Sequence, residues 1–314
     1  MSPVLTDQLA LETDLRNGLW NDPATLPPRW FYDERGSRLF DEITRLPEYY
    51  PTRAEAEILT GCVGEVLAAS TPATVLELGS GTSTKTRLLL DAWSGEHREF
   101  VPVDVSAEVT HESAGQLSRR FPGLRVTPVI ADFHHLPETL PGEPGSRLMI
   151  FLGGTIGNFS EFERQEFLGK LRHRLAPGDR LLVGHDLVKD SVRLEQAYDD
   201  AAGVTAEFNL NVLDVIIRTV PTIGLDRCDF RHEARWNAGE RRIEMHLVAH
   251  QNVRVEFPSL GRCREFSAGQ SIMTEISRKF LPGELADAAA AAGFTHERTW
   301  SDEAGDFAVD LYRG

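Results

Sequence analysis

Cysteine is scarce in this chain, and the three residues present, Cys62, Cys228 and Cys263, are far apart and form no Cys-x-x-Cys pair. This spacing argues against a disulfide framework and against a cysteine-based zinc site. Basic residues are also in deficit, because 33 lysines and arginines stand against 48 acidic residues, for a formal net charge of −15. Nucleic acids and anionic membranes are bound by clustered positive charge. We therefore expect neither as the main partner.

Long apolar runs are absent as well. No stretch approaches the roughly 20 apolar residues that a membrane-spanning helix needs. Residues 1–11 carry neither the basic nor the apolar region of a secretory signal, so we expect a cytoplasmic protein. What the chain does contain is an ordinary globular composition, 41% hydrophobic over 314 residues, which suffices for one large domain or two smaller ones.

The most informative stretch is residues 74–85, Thr-Val-Leu-Glu-Leu-Gly-Ser-Gly-Thr-Ser-Thr-Lys. It predicts a buried strand, a tight turn at Gly79 and Gly81, and a helix that begins with a Ser or Thr N-cap. Such a unit brings backbone N–H groups close to a ligand. A dinucleotide fingerprint would have glycine where Thr84 stands, and Glu77 would repel a pyrophosphate. S-adenosylmethionine (SAM), zwitterionic and with a ribose, fits better; the alternative is a glycine turn in some other α/β domain.

Strand and helix alternate regularly around this turn. Strands are predicted at 74–79, 99–105, 125–130, 147–152 and 180–186, with helices at 84–93, 108–119 and 161–175. Around residue 189 the rhythm changes, and a helix at 190–202 precedes β segments of antiparallel character at 229–236, 241–251 and 252–257. A helix at 282–292 and two closing strands at 294–301 and 306–313 then restore the first pattern.

This pattern predicts an α/β fold in two domains. The alternation is typical of a Rossmann-like, doubly wound and mostly parallel sheet, here closed by an antiparallel C-terminal hairpin. The sheet domain would consist of residues 54–188 and 280–314. A smaller, discontinuous α+β domain would consist of residues 1–53 and 189–279.

Carboxylates follow two further strands, at the edge where open α/β sheets bind ligands. Asp104 ends the second strand, 25 residues after Gly79, where it could accept both ribose hydroxyls. Asp132 and Phe133 follow the third strand, near the expected position of an adenine amine. Each acid alone is also compatible with a turn or a helix cap, and dehydrogenases share the first. Together with Glu77 and the closing hairpin, they favour a SAM-dependent methyltransferase.

Other polar and aromatic side chains leave two interpretations open. Asn158 follows the fourth strand and the glycines of residues 153–157, where a methyl acceptor should lie, but it is equally suited to cap helix 161–175. Aromatic residues are dense between residues 30 and 50. They are either packing of an N-terminal arm or the lining of a pocket that satisfies their hydroxyl groups.

Taken together, these stretches resemble the L-histidine Nα-methyltransferases of ergothioneine biosynthesis. The resemblance extends from about residue 15 to the C-terminus. It is carried by the motifs at residues 30–33, 46–53, 77–82, 151–158, 186–190, 197–201, 208–209, 243–245 and 274–277. The motifs before residue 53 and after residue 190 are specific to that family, whereas the glycine loop alone is not. The resemblance implies a class I SAM-dependent methyltransferase domain plus a substrate-binding domain.

The resemblance also implies roles for single residues. The substrate carboxylate would be held by Asn158 and Tyr198. The rest of the substrate pocket would be formed by Tyr49, Tyr32 and Phe40, with Met245, Glu275 and Ser277 around the imidazole ring. That last trio distinguishes histidine from tryptophan or tyrosine. The implied cofactor-binding residues are Glu77, Gly79, Ser80, Gly81, Lys85, Asp104, Asp132, Phe133 and Gly153.

The implied reaction is the SAM-dependent Nα-trimethylation of L-histidine to hercynine, the first step of ergothioneine biosynthesis, by a monomer. No metal is expected, because His134 and His135 are adjacent, and His246 and His250 lie four residues apart in a predicted strand, which does not bring them together. No dedicated general base is evident. Two alternatives remain: an N-methyltransferase of the same fold that acts on another amino acid or small amine, and a non-catalytic SAM-binding protein.

Overall fold

The computed structural model describes residues 3–95, 97–132, 136–137 and 139–314, with side chains from residue 8 onward. The helices are α1 (Pro3–Gly18), α2 (Glu34–Ile43), α3 (Pro51–Ser70), α4 (Thr86–Ala92), α5 (Ala107–Arg120), α6 (Glu161–Arg174), α7 (Ser191–Tyr198), α8 (Val204–Thr219) and α9 (Glu284–Ala291). The strands before residue 190 are β1 (Ala24–Thr25), β2 (Thr74–Leu78), β3 (Arg98–Asp104), β4 (Leu124–Val126), β5 (Val129–Ile130), β6 (Arg147–Phe151) and β7 (Arg180–Asp186). The later strands are β8 (Phe230–Asn237), β9 (Arg242–Ala249), β10 (Val253–Phe257), β11 (Arg262–Phe266), β12 (Ser271–Arg278), β13 (Thr295–Ser301) and β14 (Phe307–Arg313).

The chain divides into two compact units. One, the N-terminal unit, contains Met1–Tyr50 and Asp190–Ser277; the other, the sheet unit, contains Pro51–Lys189 and Arg278–Gly314. These divisions lie three, one and two residues from the boundaries predicted after residues 53, 188 and 279. The binding roles assigned to the two domains stay predictions.

The sheet unit contains one large sheet, in the order β13-β14-β7-β6-β2-β3-β4, with β5 also paired to β3. Strands β2, β3, β6 and β7 are parallel, and β14 is antiparallel to both β7 and β13. This confirms the predicted fold class, including the closing hairpin. From β2 the chain progresses to β3 on one side and later to β6 on the other. That reversal places the switch point, where ligands bind in such sheets, at the carboxyl end of β2.

Helices cover both faces of this sheet, which is why strands β2 and β6 are buried along their whole length. Successive strand residues point to opposite faces. Accordingly, Leu76 of β2 packs in the cluster that contains Phe167 of α6, whereas Val75 packs in the cluster that contains Ile58 of α3. The two clusters fix the position of β2 and therefore of the turn that follows it.

The N-terminal unit is built on a four-stranded sheet in the order β1-β12-β9-β8 and a two-stranded antiparallel sheet, β10-β11. Helix α8 supplies Phe208, Val212 and Ile216 to its core. These residues recur at helical spacing, so one face of α8 is apolar. No helix described in the structure is long and apolar enough to cross a membrane.

The prediction for the N-terminal unit is incomplete. The sequence analysis predicts no helix at 204–219 and no strands at 262–266 and 271–278, where α8, β11 and β12 lie. Helix α7 also ends at Tyr198, four residues before the predicted end at 202. Valine, isoleucine, threonine and asparagine give α8 a weak intrinsic helix propensity. Its burial against neighbouring elements outweighs that propensity, as is usual for helices in proteins.

Stability of the sheet unit should depend on Asp179, which is fully buried. Its carboxylate accepts hydrogen bonds from Arg147 Nε at 2.9 Å and Arg147 Nη2 at 2.6 Å. It also accepts one from Gly145 N at 2.8 Å. Asp179→Asn would leave the buried guanidinium without a counter-charge, so we expect it to cost about 3–5 kcal/mol in the free energy of unfolding. Urea denaturation followed by circular dichroism measures this loss. The control, Asp91→Asn, breaks an exposed pair with Arg120 and should cost less than about 1 kcal/mol. Equal losses in the two variants would contradict the prediction.

Candidate active site

The turn after β2 has the backbone conformation that its glycines allow. Gly79 and Gly81 have φ angles of 67° and 48°, in the left-handed region that favours glycine. The amide of Gly81 donates to Asp104 Oδ2 at 2.9 Å, which ties the turn to the end of β3. A Cβ atom built on Gly81 meets nothing within 4 Å, so there is open space beside this backbone.

Glu77 lies beneath the turn rather than on its surface. Its side chain is buried and accepts hydrogen bonds from Ser83 Oγ at 2.9 Å and from Thr86 Oγ1. Helix α4 therefore begins after Lys85 without a side-chain cap, and the predicted Ser or Thr N-cap is wrong. One of the predicted candidates, Ser83, donates its hydroxyl to Glu77 instead, because a buried carboxyl group needs a hydrogen-bond partner. Burial raises the pKa of Glu77 to about 7, although the two hydroxyl groups oppose the shift.

Asp104 and Ser80, at the same turn, can each form a further hydrogen bond. The carboxylate of Asp104 accepts from Gly81 N at 2.9 Å and from Ser106 N at 3.0 Å, and each oxygen has a further lone pair. Ser80 Oγ is buried and has no hydrogen-bond partner among the described residues. An orphaned buried hydroxyl is rare and points to a missing partner. These features fit a bound cofactor with hydroxyl and charged groups, as predicted for SAM.

Lys85 and Gly153 are joined by a residue that the sequence analysis did not single out. Glu55 of α3 is fully buried, pairs with the ammonium group of Lys85 and accepts from Gly153 N at 2.8 Å. The signal for it was present in the sequence. Glu55 lies on the same helical stripe as the apolar residues Ile58 and Cys62, where a charge needs a buried partner.

The remaining predicted residues of the sheet unit are described unequally. Asp132 is half-buried in irregular chain after β5, and Phe133 lies outside the described residues. Asn158 is the last residue of a short 3₁₀ helix, Thr155–Asn158, and is half-buried. It is not the N-cap of α6, because Ser160 holds that position in a capping box with Glu163. The capping alternative for Asn158 is therefore wrong.

Four aromatic residues predicted for the substrate pocket have neighbouring rings in the N-terminal unit. Ring centroids are 5.6 Å apart for Tyr32 and Phe40, 6.3 Å for Phe40 and Tyr49, and 6.0 Å for Tyr49 and Tyr198. The hydroxyl of Tyr198 lies 2.8 Å from Ser277 Oγ. Residues that are distant in the sequence thus form a chain of neighbouring rings that ends at the hydroxyl pair of Tyr198 and Ser277.

Glu275 and Met245 lie on neighbouring strands of the same unit. Glu275 is two residues before Ser277 on β12, so both side chains point to the same face of the sheet. Met245 is buried on β9, and its carbonyl oxygen accepts from Thr274 Oγ1 at 3.1 Å. Met245 thus lies on the strand next to the one that carries Glu275 and Ser277.

A buried histidine holds the backbone at Tyr198. His232 Nε2 lies 2.7 Å from the Tyr198 carbonyl oxygen, and Nδ1 lies 2.8 Å from Asn209 Nδ2. Since a carbonyl only accepts and the amide nitrogen only donates, the imidazole is neutral with its proton on Nε2. Burial lowers the pKa of His232, in agreement with the neutral form. The sequence analysis missed this role of His232.

The sheet order, the glycine turn after β2 and the acid at the end of β3 together define a class I SAM-dependent methyltransferase. A family model described as "Histidine-specific methyltransferase, SAM-dependent" matches residues 11–314. The chain belongs to this family.

Relatives agree with this assignment. The histidine N-alpha-methyltransferase of Mycobacterium tuberculosis (strain CDC 1551 / Oshkosh) is 51% identical over 306 residues, which cover 96% of this chain and 94% of the relative. The protein of the same name from Mycolicibacterium smegmatis is 48% identical over 304 residues, with the same coverage of 96% and 94%. A solved structure from Pyrococcus horikoshii OT3 superposes with a TM-score of 0.50 and 14% identity, over 90% of this chain and 99% of that chain. At this identity the superposition shows a shared fold alone. The roles of single residues stay predictions.

The raised pKa of Glu77 should make the effect of Glu77→Gln depend on pH. The folded state holds a proton on this carboxyl up to about pH 7, whereas the unfolded chain loses it near 4.5. The contribution of this group to stability therefore falls as pH rises through that window. Between pH 5 and 8, the free energy of unfolding of Glu77→Gln should increase by roughly 3 kcal/mol relative to that of the unchanged protein. Denaturant titrations at several pH values measure this difference. Glu166→Gln, at an exposed position of α6, should show no such trend, and parallel curves for Glu77→Gln would refute the shift.

Proposed function

We propose that this protein transfers three methyl groups from SAM to the α-amine of L-histidine, giving hercynine. The observation that carries the proposal is the continuous set Tyr32, Phe40, Tyr49, Tyr198 and Ser277 in the N-terminal unit. Membership of a family described as histidine-specific supports the choice of substrate. In this proposal the N-terminal unit is the substrate-binding domain and the sheet unit is the SAM-binding domain.

The proposed substrate contacts follow from the chemistry of each side chain. Tyr198 would donate to the carboxylate of histidine. Glu275 and Ser277 would bind the two ring nitrogens, and Met245 would pack against the ring. A carboxylate accepts from an imidazole N–H, and a hydroxyl serves as donor or acceptor, so this pair matches one ring in its neutral form. An indole has only one ring nitrogen and leaves one of these groups without a partner.

The proposed cofactor contacts lie at the carboxyl edge of the parallel strands. The turn at Gly79–Gly81, Asp104, Lys85 and Gly153 would hold SAM, which supplies a sulfonium-bound methyl group as electrophile. Asp104 has lone pairs for ribose hydroxyls, and Ser80 Oγ has an unused hydrogen-bonding capacity. Methyl transfer by in-line displacement needs no metal and no covalent enzyme intermediate.

The contribution of the protein to rate would be placement and desolvation. Well-oriented reactants reach effective molarities on the order of 10⁵ M or more. The amine must be deprotonated before each attack, and each unit by which the pocket lowers its pKa saves about 1.4 kcal/mol. The rings of Phe40 and the tyrosines would favour the growing methylammonium by cation–π contact, worth about 0.5–2 kcal/mol.

Mass spectrometry of L-histidine incubated with the protein and SAM tests the proposed function. We expect products with one, two and three added methyl groups, and the trimethylated product at completion. Methylation of another amino acid or small amine in a parallel panel, with histidine unchanged, would favour the alternative substrate class. Tight SAM binding without methyl transfer to any member of the panel would favour a binding protein. Either result would sink the proposal.

Substrate preference should shift when the proposed imidazole contacts are removed. We expect Glu275→Ala combined with Met245→Val to lower kcat/KM for histidine by about 10–100-fold, because a hydrogen bond to a charged group and a ring contact are lost. The ratio of kcat/KM for histidine to that for tryptophan should fall in parallel. Glu256→Ala, at an exposed position of β10 in the same unit, should leave both values unchanged. An unaltered preference in the double variant would remove the role assigned to these residues.

A further inference from the structure

Glu55 is a charged residue in the interior of the sheet unit. It lies in α3, its exposed fraction is 0%, and the buried residues of the next two turns, among them Ile58 and Cys62, are apolar. A carboxylate in such a place persists only if its oxygens are paired with charged or hydrogen-bonding groups. Its partners therefore show which parts of the unit it holds in place.

The first partner is the peptide between Leu152 and Gly153. Gly153 N lies 2.8 Å from Glu55 Oε1 and 2.9 Å from Oε2. The carbonyl oxygen at the other end of this peptide, on Leu152, accepts from Thr155 Oγ1 at 3.0 Å. Because a peptide is planar, contacts at both ends fix its orientation. The loop after β6 is thereby fixed at its first residue.

The second partner is the ammonium group of Lys85, which pairs with Glu55 Oε2. A Cβ atom built on Gly153 would lie 3.5 Å from Lys85 Nζ, so the lysine extends over the same glycine. An ammonium group has three donors, and one is directed to Glu55. Glu55 thus connects the turn after β2 with the loop after β6.

Strand β7 makes room for this carboxylate. A Cβ atom built on Gly184 would lie 1.9 Å from Glu55 Oε1 and 3.1 Å from Glu55 Cδ. Any larger residue at this position must displace the carboxylate or the strand. The absence of a side chain at Gly184 is therefore part of the same arrangement.

We propose that Glu55 is the positioning residue of the cofactor site: it holds the Lys85 ammonium and the Gly153 peptide in the relative positions that bind SAM. Lys85 then directs its remaining donors to the carboxylate of the amino-acid part of SAM. The proposal rests on the SAM site of the proposed function but not on histidine as the substrate.

Binding of S-adenosylhomocysteine, measured by isothermal titration calorimetry without any methyl acceptor, tests this role. A failure of histidine methylation therefore cannot be confused with a failure of this proposal. We expect Glu55→Gln to weaken binding at least about tenfold, since a charged hydrogen bond that positions Lys85 is lost. Glu57→Gln, at an exposed position of the same helix, should leave the affinity unchanged. A Glu55→Gln protein that binds within twofold of the unchanged protein would overturn the proposal.

A double-mutant cycle separates positioning from general stability. Glu55 contacts Gly153 as well as Lys85, so some loss remains when the lysine is already gone. We expect Glu55→Gln to weaken binding by clearly less than tenfold in the Lys85→Met background, relative to Lys85→Met alone. Losses that add in the double variant would overturn the proposal. Should Glu55→Gln alone not fold, the double variant decides by the same comparison, because it leaves no unpaired ammonium group.

Gly184→Ala provides an independent perturbation of the same carboxylate. We expect it to weaken S-adenosylhomocysteine binding as Glu55→Gln does, while Gly169→Ala in α6, where a Cβ meets nothing within 4 Å, has no effect. Thermal unfolding of the unliganded variants serves as the second readout. A Gly184→Ala protein with a lowered Tm but unchanged affinity would show a purely structural role and contradict the proposal.

Discussion

The need to pair buried carboxylates at the carboxyl edge of the parallel strands governs the sheet unit. Glu77, Glu55 and Asp186 are nearly inaccessible to solvent. In such a position an unpaired charge would cost several kcal/mol, and an unpaired neutral polar group about 1–3 kcal/mol. Each is paired with the chain that leaves the sheet at that edge. Their partners are Ser83 and Thr86, Lys85 and Gly153, and Lys189 and Lys279, respectively. The loops that would contact a ligand are therefore held before the ligand arrives, which reduces the entropy lost on binding.

Asp186 shows how this pairing also organises the connections of the chain. Burial alone would raise the pKa of its carboxyl group, but the ammonium groups of Lys279 and Lys189 lower it below its usual value. These lysines lie at the ends of the two segments that form the sheet unit. Next to them, Phe280 N donates to Asp186 O at 2.9 Å, and Val188 N donates to Phe280 O at 3.0 Å. One buried acid thus anchors two of the three places where the chain crosses the boundary of this unit.

The sequence predicted what depends on local periodicity and missed what depends on packing between distant segments. Alternation of apolar strands and helices was sufficient for the parallel sheet, since each strand of such a sheet is buried on both faces. Helix α8 and strand β12 were missed, because their side chains are selected by contacts rather than by propensity. The wrong N-cap has the same origin: Ser83 is a good cap in isolation, but its hydroxyl group donates to the buried Glu77. Family resemblance located Tyr198 and Ser277, whereas their hydrogen bond required the fold.

In the N-terminal unit the corresponding constraint is a polar group rather than a charge. Asn209 is fully buried in α8, and its amide nitrogen donates to His232 Nδ1 at 2.8 Å and to His246 O at 3.2 Å. Its amide oxygen accepts from Thr274 Oγ1 at 2.7 Å. These three bonds join α8 to β8, to β9, which carries Met245, and to β12, which carries Glu275. A shift of any strand by one residue would leave buried donors or acceptors unpaired, at about 1–3 kcal/mol each. Apolar contacts alone would tolerate such a shift more easily, so the polar network helps to set the register of these strands against α8.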